Sequence, residues 1–221
     1  MKPQGLFVTG TDTGVGKTVV TAALLAMLRY EGLDAVPMKP VQTGCRRGAG
    51  GRLEPPDLDA ALRRAGLPRG SEAERRYMCP YRFASPCSPH LAAQREGATI
   101  SLARIARCFR ALHRRHGFVV VEGAGGVLAP IGARRTMADV MERLRLPVVL
   151  VARPGLGTIN HTLLSLRELR RRGILVLGVI FNCSRPSRRG YIERDNEETI
   201  CRLGHVRILG RVPCLGPRER T

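Results

Sequence analysis

Leu6-Phe7-Val8-Thr9-Gly10-Thr11-Asp12-Thr13-Gly14-Val15-Gly16-Lys17-Thr18 is the stretch on which the fold turns. A short apolar run gives way to a Gly-rich turn, and from Lys17 to Tyr30 the residues Val20, Ala23, Leu24 and Met27 recur at helical spacing. The pattern is strand, loop, helix. Gly16-Lys17-Thr18 has the ending of a P-loop, where backbone N–H groups of Gly14 to Thr18 can surround phosphate oxygens at the positive end of the helix. The generic motif wants a glycine where Thr11 stands, and Gly10 lies one residue too early. An ordinary glycine turn capped by Thr is the competing reading, and the strand before and helix after favour the phosphate site. On this reading Lys17 reaches terminal phosphates and Thr18 ligates magnesium.

Outward from this loop, strands alternate with helices. A second strand is expected at Ala35 to Met38, closed by Pro40, and further strands at Phe118 to Glu122, Val148 to Ala152, Leu175 to Phe181 and Arg207 to Val212. Their apolar composition suits strands buried on both faces. Helices are expected at Asp57 to Ala65, Leu102 to His116, Met137 to Leu144, Asn160 to Arg172 and Tyr191 to Leu203, with residues 44 to 56 a mobile Gly/Arg/Pro loop. The expected fold class is α/β, three-layered, a mostly parallel sheet with helices on both faces and ligands at the carboxyl ends of the strands. Residues 1–221 read as a single domain, without internal repeat or linker.

Two further strand ends carry chemistry. Phe118-Val119-Val120-Val121 ends in Glu122 and runs into Gly123-Ala124-Gly125-Gly126, the arrangement of an acidic residue holding Mg2+ beside a P-loop, followed by glycines that let backbone approach a ligand. A sheet-end Glu before a flexible turn is the plainer reading, and the phosphate loop tips the balance. Lys39, after the second strand, falls on the same sheet edge, where a second ammonium can stabilise charge on a transferring phosphoryl group; Thr43 supplies a hydroxyl nearby. Of 37 lysines and arginines, only Lys2, Lys17 and Lys39 are lysine. Where any cation serves, this chain has arginine, so Lys17 and Lys39 mark places that need a compact ammonium.

Composition removes several function classes. The chain has 221 residues, and its longest apolar runs, Pro147 to Ala152 and Ile174 to Phe181, are far short of the roughly 20 residues of a spanning helix. No membrane association is expected. The opening Met1-Lys2-Pro3-Gln4-Gly5 has no secretory h-region, and a cytoplasmic location is expected. Seven scattered cysteines read as free thiols, and His113 and His116, one helical turn apart, make a weak case for a metal pair. The formal charge of +19 is spread as arginine pairs along outer faces and loops, which is a solvated surface and not a nucleic-acid footprint. Aromatics are only 4% of the chain, too few for a single-strand stacking platform. A non-catalytic nucleic-acid module rests on the charge alone.

Together with Pro56-Asp57-Leu58, Ser88-Pro89-His90-Leu91-Ala92-Ala93, Gly155-Leu156-Gly157-Thr158-Ile159-Asn160-His161 and Gly178-Val179-Ile180-Phe181-Asn182, these segments resemble the dethiobiotin synthetases, in the family's order, from residue 7 to about residue 215. The spacing with Gly10 one residue early is that family's own form. The resemblance implies a P-loop NTPase-like fold and a cytoplasmic homodimer. It also implies an ATP- and Mg2+-dependent cyclo-ligase converting 7,8-diaminopelargonate and CO2 into dethiobiotin through a carbamate and a phospho-carbamate. Carried over by position, Lys17 and Lys39 are the catalytic cations, Gly14, Val15, Gly16, Lys17, Thr18 and Val19 hold the triphosphate, and Thr18, Asp57 and Glu122 surround Mg2+. Gly123, Ala124 and Gly125 line the nucleotide. Thr13 and Thr43 take the carbamate end of the substrate, and Asn160 of a partner subunit takes its distal carboxylate at a helix start. Asn182 and Cys183 face the adenine, walled by Pro213, Cys214 and Leu215.

Cys183 stands where the family often has an acidic residue. Asp57 is preferred to Asp59 because Pro56-Asp57-Leu58 matches the local pattern, although a one-turn helix shift exchanges them, and Glu54 is a third candidate. His90 reads as structural. The runner-up is a partition- or division-type P-loop ATPase switch, but such proteins carry an extra lysine early in the phosphate loop and Gly10-Thr11-Asp12-Thr13 has none.

Overall fold

The computed structural model describes residues 4–183 and 190–214. In chain order the elements are β1 (Gly5–Gly10), α1 (Lys17–Tyr30), β2 (Ala35–Met38), β3 (Val41–Gln42), β4 (Arg46–Arg47), β5 (Leu53–Glu54), α2 (Pro56–Arg64) and α3 (Glu72–Met78). Then follow β6 (Tyr81–Arg82), α4 (Pro89–Arg95), α5 (Leu102–His116), β7 (Phe118–Gly126), α6 (Met137–Leu144), β8 (Val148–Ala152), α7 (Thr158–Arg171), β9 (Val176–Asn182), α8 (Tyr191–Gly204) and β10 (Ile208–Val212).

Six strands form one sheet in the order β10-β9-β8-β1-β7-β2, with every neighbouring pair parallel. Because side chains alternate along a strand, β1 feeds two cores. Phe7 joins Val119, Val121, Val148 and Leu150 on one face, beneath residues of α5, α6 and α7 such as Ile105, Leu112, Met141 and Leu169. Leu6 and Val8 join Val120, Val149 and Val151 on the other face, covered by Val20 and Leu25 of α1. This is a P-loop NTPase-like three-layer sheet. Its parallel register sets β1, β7 and β2 side by side, so Gly10 at the end of β1, Glu122 within β7 and Lys39 just past β2 fall near one edge.

The structure departs from the sequence reading in five places. Residues 44 to 56, expected to be a loop, contain a hairpin in which Arg46–Arg47 pairs antiparallel with Leu53–Glu54, closed by Gly48 N–H donating to Arg52 O. Two-residue strands leave no periodic signal to read. The short helices α3 and α4 and the β3–β6 pair were likewise invisible to periodicity. The outer strands are less covered than expected: β10 is an edge strand with no fully buried residue, and Leu177 of β9 is exposed. β7 runs on to Gly126, so Glu122 lies within the strand and not at its end, and the glycines after it are strand and not turn. At His113 and His116, where the sequence made only a weak case for a metal pair, each ring is engaged separately. His116 bridges Asp34 and Glu74 at 2.9 and 2.7 Å, while His113 stacks on Phe109.

The fifth departure concerns the arginine pairs. Arg76 is exposed as expected, but Arg75 is only 2% exposed and meets Asp59 at 2.6 Å and Glu72 at 3.7 Å. The Arg75–Asp59 contact is close without the alignment of a good hydrogen bond, so its worth is mainly Coulombic. Among the described residues no helix is long and apolar enough to cross a membrane. Replacing Arg75 by Met is expected to lower unfolding stability by about 2–3 kcal/mol, because Asp59 and Glu72 lose a buried partner yet keep some water. Urea denaturation with an unchanged m-value is the check.

Candidate functional site

The phosphate loop leaves β1 at Gly10 and turns into α1 through two left-handed glycines, Gly14 at φ 73° and Gly16 at φ 96°. A side chain at Gly16 is doubly forbidden, since its Cβ would lie 2.0 Å from Asn182 Nδ2. That amide donates to Val15 O at 3.1 Å, so Asn182, 5% exposed at the end of β9, braces the loop. Val15 is buried beneath the loop while Gly14 and Thr13 face solvent. Lys17, the first residue of α1, is buried, and its Nζ folds back to donate to Asp12 O at 2.9 Å.

Beside the loop four side chains from four elements converge. Lys39 Nζ lies 2.6 Å from Glu122 Oε1 and 2.7 Å from Asp57 Oδ2, and reaches Gly123 O at 3.3 Å. The same Oε1 accepts from Thr18 Oγ1 at 2.9 Å. Lys39 and Glu122 are each 3% exposed. Gln42 ties the arrangement down: its Oε1 accepts from Asp57 N–H at 3.3 Å and its Nε2 donates to Thr43 O at 3.0 Å, linking β3 to the start of α2.

The two lysines differ in electrostatics. Burial and the neighbouring Lys39 push Lys17 down to about 8, only partly opposed by Glu122 and Asp57. Burial also disfavours the charge on Lys39, but Glu122 and Asp57 outweigh it and hold its pKa above that of an ordinary lysine. Burial raises and Lys39 lowers the Asp57 carboxyl, with a net shift downward. Two hard carboxylates and a hydroxyl suit Mg2+, which binds through one or two carboxylates plus phosphate oxygens and keeps several waters. Among the described residues no group of three or more His, Cys, Asp or Glu could hold a metal alone.

The three acidic candidates separate cleanly. Asp57 points to Lys39, whereas Asp59 is paired with Arg75 and Glu54 with Arg69 at 2.8 Å. Thr13 and Gly125 are neighbours, since a Cβ on Gly125 would lie 3.7 Å from Thr13 Oγ1; Val19 lies in the first turn of α1 and Ala124 within β7, both half-buried. Thr43 follows β3 and is half-buried. Asn160 is exposed in the first turn of α7. Cys183 N–H donates to Val212 O at 3.0 Å, bringing Cys183 beside Pro213 and Cys214 past the phosphate loop; Leu215 lies outside the described residues. His90 stands apart, lining a cavity of about 760 Å³ with Ile100, Ile131, Arg134 and Arg135. Gln42 and Arg153, whose Nη2 lies 3.8 Å from Asp12 Oδ2, were not singled out from sequence. The contacts of Gln42 with Asp57 and of Arg153 with Asp12 span 15 residues or more, and no spacing announces them.

Over residues 4–219 the chain matches the family model described as an AAA domain. It is 50% identical over 210 residues to the ATP-dependent dethiobiotin synthetase BioD of Anaeromyxobacter dehalogenans strain 2CP-1 / ATCC BAA-258, spanning 95% of this chain and 90% of that protein. The protein of the same name from strain 2CP-C is 47% identical over 210 residues, with the same coverage of 95% and 90%. A ParA family ATPase from Chlorobium tepidum TLS shares the fold at TM-score 0.59, 13% identity and coverage of 97% of this chain and 87% of that one. That likeness concerns architecture alone.

With Lys17 at about 8, its charge on the phosphate loop is lost as pH rises through that value. Affinity for tripolyphosphate is therefore expected to fall across that range in wild type and to stay level in Lys17→Arg, which remains charged. Isothermal titration calorimetry at several pH values decides it, and an equal decline in both proteins excludes Lys17 as the titrating group.

Proposed function

This chain belongs to the ATP-dependent dethiobiotin synthetase family, and on that premise we infer that it is an ATP-dependent cyclo-ligase acting on 7,8-diaminopelargonate and CO2 to give dethiobiotin, ADP and phosphate. The observation that carries the reading is the meeting of Lys39, Thr18, Asp57 and Glu122 at one point beside the phosphate loop. A partition-type switch has no comparable support: the likeness to the ParA ATPase is one of fold, and Asp12, Thr13 and their neighbours include no early lysine.

The chemistry explains the demand for two ammonium groups. One amine of the substrate attacks CO2 and loses a proton, giving a carbamate. A carbamate oxygen attacks the γ-phosphorus of ATP and ADP leaves. The second amine then attacks the carbamate carbon, and the C–O bond to phosphate breaks as the ureido ring closes. Each stage after the first crowds anions together, and catalysis of such steps is mostly positioning and charge stabilisation.

Lys17 takes the terminal phosphates and Lys39 the carbamate and the transferring group, as compact donors that a planar guanidinium cannot replace. Gly14 to Val19 wrap the triphosphate with backbone N–H groups. Thr18, Asp57 and Glu122 would hold Mg2+, which when bound would supply neutralisation of phosphate charge. Gly123, Ala124 and Gly125 give the nucleotide a close backbone wall. Thr13 and Thr43 hold the carbamate end. Asn182, Cys183, Pro213, Cys214 and Leu215 receive the adenine, although one amide hydrogen of Asn182 is already committed to the loop. Asn160, exposed at the start of α7, suits a homodimer in which the partner subunit binds the substrate's distal carboxylate there. We place the enzyme in the cytoplasm, as one domain over residues 1–221.

Phosphate release from ATP, Mg2+ and bicarbonate is expected to require the diamine, with dethiobiotin identified by mass; hydrolysis indifferent to the diamine refutes the assignment. Lys17→Gln is expected to lower turnover on the order of a hundredfold. Lys39→Arg keeps the charge but loses the shape, and full activity in that variant removes Lys39 from the chemistry. Asp57→Asn is expected to raise the Mg2+ concentration needed for half-maximal rate, while Asp59→Asn changes stability and leaves that concentration alone. The opposite result transfers the metal role to Asp59.

A further inference from the structure

We propose that Lys39 fills the carboxylate pair in place of a divalent cation until a polyphosphate arrives, so that metal enters the site only together with nucleotide. The proposal rests on the reading of Thr18, Asp57 and Glu122 as metal ligands and goes on to say how their occupancy is ordered.

Its basis is where the ammonium sits. Nζ of Lys39 stands between Asp57 Oδ2 at 2.7 Å and Glu122 Oε1 at 2.6 Å, and that Glu122 oxygen also accepts from Thr18 at 2.9 Å. All three residues read as metal ligands are thus already gathered around one cation or its partner. Lys39 and Glu122 are each 3% exposed, so water screens that pair little, while the Asp57 side chain, 38% exposed, stays open to an arriving ligand.

Charge accounting gives the order. Lys17 and Lys39 carry two positive charges, Asp57 and Glu122 two negative ones, and the cluster without ligand is balanced. A divalent cation arriving alone leaves two uncompensated positive charges in a buried site, or must expel an ammonium that has nowhere to go. A triphosphate reverses the sign of the surplus. The carboxylates can then pass to the metal while the ammonium of Lys39 turns to phosphate oxygens. The same exchange frees Lys39 for the reacting anions only when ATP and metal are both in place.

The test uses Mn2+ as probe, with the free ion counted by electron paramagnetic resonance on the full chain. Wild type is expected to bind Mn2+ at least about tenfold more tightly with saturating ADP than without nucleotide. Lys39→Met is expected to gain roughly tenfold or more in nucleotide-free Mn2+ affinity, and Lys39→Arg to gain little, because it keeps the charge. Equal Mn2+ affinity of wild type with and without ADP overturns the ordering, as does a folded Lys39→Met with no gain. If Lys39→Met does not fold, Lys39→Gln, which also removes the charge, takes its place and the same gain in nucleotide-free Mn2+ affinity is required. Binding of ADP with no accompanying Mn2+ in wild type is a different failure: it overturns the metal-ligand reading of Thr18, Asp57 and Glu122, and the ordering with it.

Discussion

An ammonium and a carboxylate taken out of water together must meet at close range, because the desolvation of each costs several kcal/mol and mutual attraction is the main compensation. Lys39 and Glu122 obey that constraint at 2.6 Å. Lys39 follows β2 and Glu122 lies within β7, and these strands are neighbours in the sheet. β7 also pairs with β1, whose end becomes the phosphate loop, and Thr18 of α1 closes the circle by donating to Glu122. The pair therefore fixes the edge of the sheet on which everything else in the site is arranged. Well-packed apolar residues could often fill such a place at no loss of stability. A buried ion pair in a cleft next to a phosphate loop is better understood as a functional device than as a source of stability.

The same logic separates two kinds of charge in this protein. Most arginines are spread over the surface, where ion pairs are worth little and salt screens them. Arg69 on Glu54 belongs to that class. Inside, among the described residues, Lys39 is matched by Asp57 and Glu122 and Arg75 by Asp59, while the ammonium of Lys17 is held by the Asp12 carbonyl. Asp57 and Asp59 lie two residues apart near the start of α2, and helical rotation sends one to each cation. The α2 boundary is consequently a functional parameter, held by Gln42 through the Asp57 N–H.

Legibility in the sequence followed element length. α1, α5, α6 and β8 have the bounds their periodicity announces, since two or more full turns, or five consecutive buried residues, leave a repeated signal. The hairpin of Arg46–Arg47 with Leu53–Glu54, the β3–β6 pair and the seven-residue helices α3 and α4 did not show, because each is too short to repeat its pattern and is held by contacts with distant segments. Lys39 N–H, for example, donates to Met78 O at 2.7 Å.

The sequence by itself determined that a strand, a glycine turn and a helix bearing Lys17 and Thr18 make a phosphate loop, and that strands alternating with helices make a parallel sheet. Both follow from local chemistry: backbone freedom at glycine, the positive end of a helix, and the two periods of side-chain direction. Only the tertiary structure decided which carboxylate Lys39 takes, that Arg75 is an interior residue, that Asn182 braces the loop, and that Thr18, Asp57 and Glu122 stand around one ammonium. Those are contacts across tens of residues, set by sheet order and by the cost of leaving a buried charge alone, and neither quantity is written in any local pattern.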